Sequence, residues 1–179
     1  MKRIALILSL VAAPAMAQGS AAATANPGVS SAKALWGDIT GYIVTAAEQM
    51  PEADYSFRPV PTVRTFGQLI GHVAGAQYMF CAAAMGEAPK AEGDIEKSVT
   101  TKAGLVAAIK ASTAYCVKAY EQSDAASAAM IKVFGQDRPR MYALMINATH
   151  NGEHYGNIVT YLRVKGMVPP SSQPRPQGQ

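Results

Sequence analysis

Four long segments of this chain carry apolar residues at three- and four-residue steps, and no part of it reads as a run of alternating strands. That pattern restricts the fold to packed helices. The first segment covers about residues 31–50, with Trp36, Ile39, Ile43 and Ala46 on one side, Ser30 or Ser31 as its cap and Pro51 as its stop. Pro59 and Pro61 keep "DYSFRPVP" extended, so the second helix begins near residues 62–65. It reaches about residue 85, and Phe66, Ile70, Val73 and Phe80 mark its buried side. The third covers about residues 101–121 through Leu105, Ile109, Cys116 and Tyr120, a stripe interrupted by Ser112 and Thr113. A short helical piece is expected around residues 125–133. The last helix starts near Pro139 and runs to about residue 165 on Leu144, Ala148, Tyr155, Ile158 and Leu162, where Gly166 stops it.

Four substantial helices in one domain predict an all-α four-helix bundle. The connection over residues 86–100, "GEAPKAEGDIEKSVT", is polar and longer than an antiparallel pair needs. Extended, it runs back along a helix of roughly 30 Å. The second and third helices are therefore expected to run parallel, giving up-down-down-up topology. Cys81 and Cys116 then lie late in their helices and at similar heights. A disulfide and a pair of small buried side chains are both consistent with that placement.

The ends of the chain read differently. Lys2 and Arg3 precede the apolar run "IALILSLVAAPA", and "AMA" at residues 15–17 fits cleavage after Ala17. The run is too short to span a bilayer, which takes about 20 residues. Residues 1–17 are thus expected to be a signal peptide, 18–30 a flexible linker, 31–167 the bundle and 168–179 a proline-rich tail. The destination is the periplasm or the exterior, with no stable membrane insertion once the signal is removed. Sixteen basic residues against twelve acidic ones give +4, and losing Lys2 and Arg3 halves that to +2. No Lys/Arg cluster remains to suggest a nucleic-acid partner.

The chain has three histidines. His150 and His154 stand one helical turn apart on the same side of the last helix, a spacing that recurs in zinc sites. Asn147, His150, His154, Asn157 and Tyr161 form a polar strip beside its apolar one. His72 lies among apolar residues in "GQLIGHVAGA" on another helix, and a three-histidine set with an open position is a known catalytic zinc arrangement. Singly, each is also readable as a core or surface histidine. "HNGEH" further fits the H-x-x-E-H pattern of inverted zinc proteases, with Glu153 as base. Those enzymes need an acidic ligand farther along, and no Asp or Glu follows Glu153. That reading fails, and Glu153 is expected to be a solvated bystander.

"MPEADYSFRPVPTVRTFGQLIGHVAGAQ" and "NATHNGEHYGNIVTYLRVKGMVPPSS" resemble the DinB/YfiT-like family over about residues 31–172. The resemblance implies an up-down-down-up bundle that binds a divalent metal, zinc or nickel, through His72, His150 and His154. It also implies a homodimer packed through the bundle's side, and a metal-dependent hydrolase or a thiol-dependent transferase acting on a small molecule. A non-catalytic, metal-braced bundle is the alternative. The sequence departs from the commoner H-x-x-H-H-R-G-Q form: Glu153 stands where many members have histidine, Tyr155 where they have arginine and Asn157 where they have glutamine.

Overall fold

In the computed structural model the described residues are 25–88 and 90–174, so the expected signal peptide lies outside them. Among these residues there are six α-helices, two short 3-10 helices (Glu52–Asp54 and Pro170–Ser172) and one hairpin: α1 (Pro27–Gln49), α2 (Phe66–Met85), α3 (Gly93–Ser98), α4 (Lys102–Ala119), α5 (Asp124–Ser127), β1 (Met130–Val133), β2 (Gln136–Pro139) and α6 (Arg140–Val164). No described helix is long and apolar enough to cross a membrane.

The four long helices pack around two stacked apolar cores. One gathers Ile43, Met50, Phe66, Ile70, Ile109 and Leu162, the other Trp36, Cys81, Cys116, Tyr120, Val133 and Leu144. Between them lies a buried polar layer. The Trp36 indole donates to Gln77 Oε1 at 2.8 Å, Gln77 donates to Ser112 Oγ at 3.0 Å, and Asn151 donates to Thr40 Oγ1 at 3.0 Å. Buried amides tolerate few geometries, so this layer fixes how the helices are rotated and shifted against one another. Ser112, which interrupts the apolar stripe of α4, is thereby accounted for.

Local signals set most helix ends. Thr65 and Gln68 form a capping box at α2, Thr101 caps α4 through the Gly104 amide, and Gly86 and Gly166 close α2 and α6 in left-handed conformations. The start of α1 is a correction to the sequence reading. Residues 27–30, assigned to a linker, are its first turn, and neither Ser30 nor Ser31 caps it. The cap comes from far along the chain: the Asp124 carboxylate accepts from the amides of Gly28 at 2.9 Å and Val29 at 2.8 Å. A carboxylate at a helix N-terminus satisfies free N–H groups and complements the dipole.

A second correction concerns residues 125–133, where only Asp124–Ser127 is helical. The chain then makes an antiparallel hairpin in which Val133 pairs with Gln136. Phe134 and Gly135 form its two-residue turn, both at positive φ (50° and 75°), as such a turn requires. Phenylalanine is a poor left-handed residue, which hid the turn from sequence reasoning. Its ring rests edge-on against Phe80, 5.9 Å between centroids.

The polar connector is not featureless either. It contains α3, which crosses the face of α2 where Gly71 and Gly75 lie. A methyl on Gly75 would stand 1.8 Å from the Glu92 carbonyl oxygen, and one on Gly71 would stand 2.9 Å from the Glu96 Cα. These glycines let the connector's backbone lie directly on the helix.

Leu105, early in α4, packs near Gly67 and Gly71, early in α2, while Cys116 and Cys81, late in each, are joined by a disulfide. The bond itself decides between the two sequence readings in favour of the disulfide, and both of its residues are fully buried. For a sequence separation of 35 residues the loop-closure contribution is about 3–4 kcal/mol. Oxidised native protein should show no titratable thiol, and the Cys81→Ala/Cys116→Ala variant should lose stability of about that size in urea unfolding. A second comparison isolates the connector contact. Gly41→Ala, where nothing lies within 4 Å, should stabilise by about 0.5–1 kcal/mol through helix propensity. Gly75→Ala gains the same propensity but must displace backbone, and should destabilise by about 1–2 kcal/mol in the same assay.

Candidate metal centre

His72 projects from the middle of α2, and His150 and His154 from successive turns of α6. The antiparallel contact of these helices, with Cys81 near Asn147 and Phe66 near Tyr161, brings the three rings together. Their Nε2 atoms form a nearly regular triangle: His72 to His154 is 3.1 Å, His72 to His150 is 3.2 Å and His150 to His154 is 3.0 Å. His72 and His154 are buried, and His150 is partly so.

Hydrogen bonding alone does not satisfy this triangle. Each Nε2 carries either a proton or a lone pair, so three facing nitrogens always leave at least one pair of like groups in contact. A single cation accepts all three lone pairs. Two nitrogens on one tetrahedral zinc, each at about 2.0–2.1 Å, lie about 3.3 Å apart, close to the observed 3.0–3.2 Å. The donor set therefore fits a divalent ion, and the three histidines are positioned to hold one.

The remaining ring nitrogens show how each ring is oriented. His72 Nδ1 faces Glu96 Oε2 at 3.5 Å, and Glu96 is itself held by Arg64, whose Nε donates to Oε1 at 3.0 Å. A carboxylate behind a ligating imidazole fixes its tautomer and raises its basicity. His154 Nδ1 lies 3.5 Å from the Asn157 amide. His150 Nδ1 is buried without a partner among the described residues, and packing orients that ring, with Phe80 at 5.6 Å between centroids. The hairpin supports Phe80 from behind.

Burial is the main reason all three histidines titrate below their ordinary value. His150 is held down to about 3 by burial first and then by His154 and His72. His72 is lowered by burial and by Arg64, against the opposing pull of Glu96 and Glu153. His154 is lowered by burial and by His72. Near neutral pH the rings are uncharged, so the contacts of His72 with Glu92 and Glu96 are not ion pairs, and the lone pairs are available to a metal.

The site opens onto two clefts. One of approximately 960 Å³ is lined by His72, Glu92, Glu96, Arg64, Gln68 and Tyr55, among others. The other, approximately 660 Å³, is reached from His154, Glu153, Asn157 and Tyr161 and shares Arg64 and Glu96 with the first. All three histidines singled out from the sequence meet here. Asn147 does not: it is buried in the upper core, donating to Cys81 Sγ and Tyr120 Oη. Tyr161 donates to the Arg64 carbonyl oxygen at 2.6 Å, and Tyr155 pins the tail through Ser171. Glu153 is exposed and makes no hydrogen bond or ion pair among the described residues; it acts on His72 and His154 only through its charge at the rim of the second cleft, while the carboxylates within 4 Å of the imidazole nitrogens are Glu92 and Glu96. Sequence reasoning missed both, together with Arg64. The usable signal was Gly67, Gly71 and Gly75 at four-residue spacing, which marks a face where another backbone approaches.

A model of the DinB superfamily matches residues 40–158. The chain belongs to the DinB superfamily. Solved structures with this fold include a DinB-like protein from Bacillus cereus (17% identity, 79% of this chain and 95% of that one, TM-score 0.69). Another is a DinB-like protein from Bacillus subtilis (21%, 82% and 99%, TM-score 0.64). A third is a mycothiol-dependent maleylpyruvate isomerase (18%, 84% and 81%, TM-score 0.61). No curated protein matches.

The depressed histidines make metal-free DinB-fold stability depend on pH in a defined direction. Below 6.5 the unfolded chain takes up protons that the folded one refuses, so stability falls as pH falls. The loss should begin near pH 6.5 and continue toward pH 3, where His150 in the folded state begins to charge. Thermal melts of chelator-treated protein from pH 8 to 4 should show it, and His150→Gln should flatten the slope.

Proposed function

We propose that this DinB protein is an exported, up-down-down-up bundle that binds one divalent ion, zinc or nickel, through His72, His150 and His154 and uses it in hydrolysis. The observation that carries the metal reading is the triangle of Nε2 atoms 3.0–3.2 Å apart. The topology reading is supported by contacts that pair early with early between α1 and α6, such as Gly28 with Met141 and Gly152 with Ile39. Export is supported by the signal-like N-terminus and by a buried disulfide, which persists in oxidising compartments.

A divalent ion at this site would supply Lewis acidity and lower the pKa of a bound water or thiol. The protein's own groups do the rest. The helices hold three neutral imidazoles in place, Glu96 and Arg64 orient His72, and the clefts admit a small substrate beside Arg64, whose guanidinium suits an anionic group. A second reading, thiol-dependent transfer or isomerisation, is favoured by the fold shared with a mycothiol-dependent isomerase. Export disfavours it, because low-molecular-weight thiols are mainly cytosolic.

Metal analysis of purified mature protein tests the site. Wild type should carry about one equivalent of zinc or nickel, and His150→Ala should lose most of it. Added metal at 100 times its Kd should stabilise wild type by about 2.7 kcal/mol and leave His150→Ala unmoved. Equal metal in both proteins, or none in either, would contradict the reading. A large stabilisation without any turnover of ester or amide substrates would favour the metal-braced alternative.

A further inference from the structure

The connector delivers a fourth group to the metal centre. Glu92 Oε1 lies 3.6 Å from His72 Nε2 and 3.8 Å from His150 Nε2, facing two of the three atoms that form the triangle. It approaches from outside α2 and α6, and its main chain is seated against Gly75. Glu96, one turn later, faces the other nitrogen of His72. The two carboxylates thus take different places, one in front of the imidazole triangle and one behind it.

We propose that Glu92 is the fourth protein ligand of the ion, completing a three-histidine, one-carboxylate site. Nitrogen and oxygen donors on one tetrahedral ion lie about 3.3–3.4 Å apart, close to the spacings from His72 and His150, and a rotation of the Glu92 side chain toward His154 completes the set. The four ligands differ in how firmly they are held. The histidines stand on long helices joined by the polar layer and the disulfide, whereas Glu92 precedes a six-residue helix and its side chain is 36% exposed. It is the ligand that yields when a substrate approaches along the larger cleft, which it also lines. This inference rests on the three-histidine reading above and adds the group that closes the site at rest.

Cobalt(II) titration of the mature protein, followed by visible absorption, tests it on wild type, Glu92→Gln, Glu92→Ala and His150→Ala. Wild type should bind one cobalt with the intense bands of a four-coordinate site. Both Glu92 variants should bind about 10- to 100-fold more weakly, as expected at least for loss of a group supporting a metal site. Their bands should change as water replaces the carboxylate, and azide should bind their cobalt more tightly than it binds that of wild type. Chelator-treated variants that melt within a few degrees of wild type exclude misfolding as the cause. Unchanged affinity and spectrum in both Glu92 variants, with binding still lost in His150→Ala, would overturn the role of Glu92 and leave the three-histidine site standing. Failure of wild type to bind cobalt, or equal binding by His150→Ala, would overturn both.

Discussion

Three imidazole nitrogens held about 3 Å apart repel one another unless something positive lies among them, and much of this bundle is arranged to hold them there. In water the rings would turn aside. Here each is constrained by a different device: His72 by Glu96 and Arg64, His154 by burial between α2 and α6, and His150 by the Phe80 ring behind it. Burial also keeps the rings uncharged, so the mismatch is between like N–H groups or like lone pairs rather than between full charges. A cation converts that arrangement from a cost into a binding energy, and metal affinity and folding stability are then linked.

Holding two helices in such a register requires more than apolar packing, which tolerates sliding and rotation. The polar layer of Gln77, Ser112, Asn151 and Thr40 supplies the missing specificity, with Gln77 just over a turn beyond His72 on α2 and Asn151 directly after His150 on α6. The disulfide joins α2 to α4 on the far side of that layer. The connector adds a third constraint by pressing its backbone onto the glycine face of α2. Bundle, disulfide and connector thus act on the same helix, the one that carries His72.

The four long helices and the pair His150 and His154 were legible in the sequence because both depend on local spacing, and His72 joined them as the one remaining histidine and through the family resemblance. Periodicity identifies a buried stripe, and histidines four apart share a helix face. What escaped depends on long-range contacts. Asp124 caps α1 from nearly a hundred residues away, and no local rule places a carboxylate there. Phe134 occupies a turn position that normally calls for glycine or asparagine, so the hairpin lacked its usual marker. Glu153 drew attention by adjoining His154, yet neighbours on a helix point about 100° apart, and it stays exposed at the rim of the second cleft, where only its charge reaches the histidines. The glutamates that reach the site lie in a segment whose composition resembles an ordinary solvated loop. Only the glycines opposite, on a different helix, reveal that the loop is pressed against the protein.

The central claim is that the Nε2 atoms of His72, His150 and His154 share one ion. X-ray absorption at the metal edge of the zinc- or nickel-loaded protein measures this most directly. Three imidazole ligands, recognised by their outer-shell scattering, with nitrogen at about 2.0–2.1 Å, are the predicted result. A spectrum with one imidazole or none, or with sulfur in the first shell, would contradict the account.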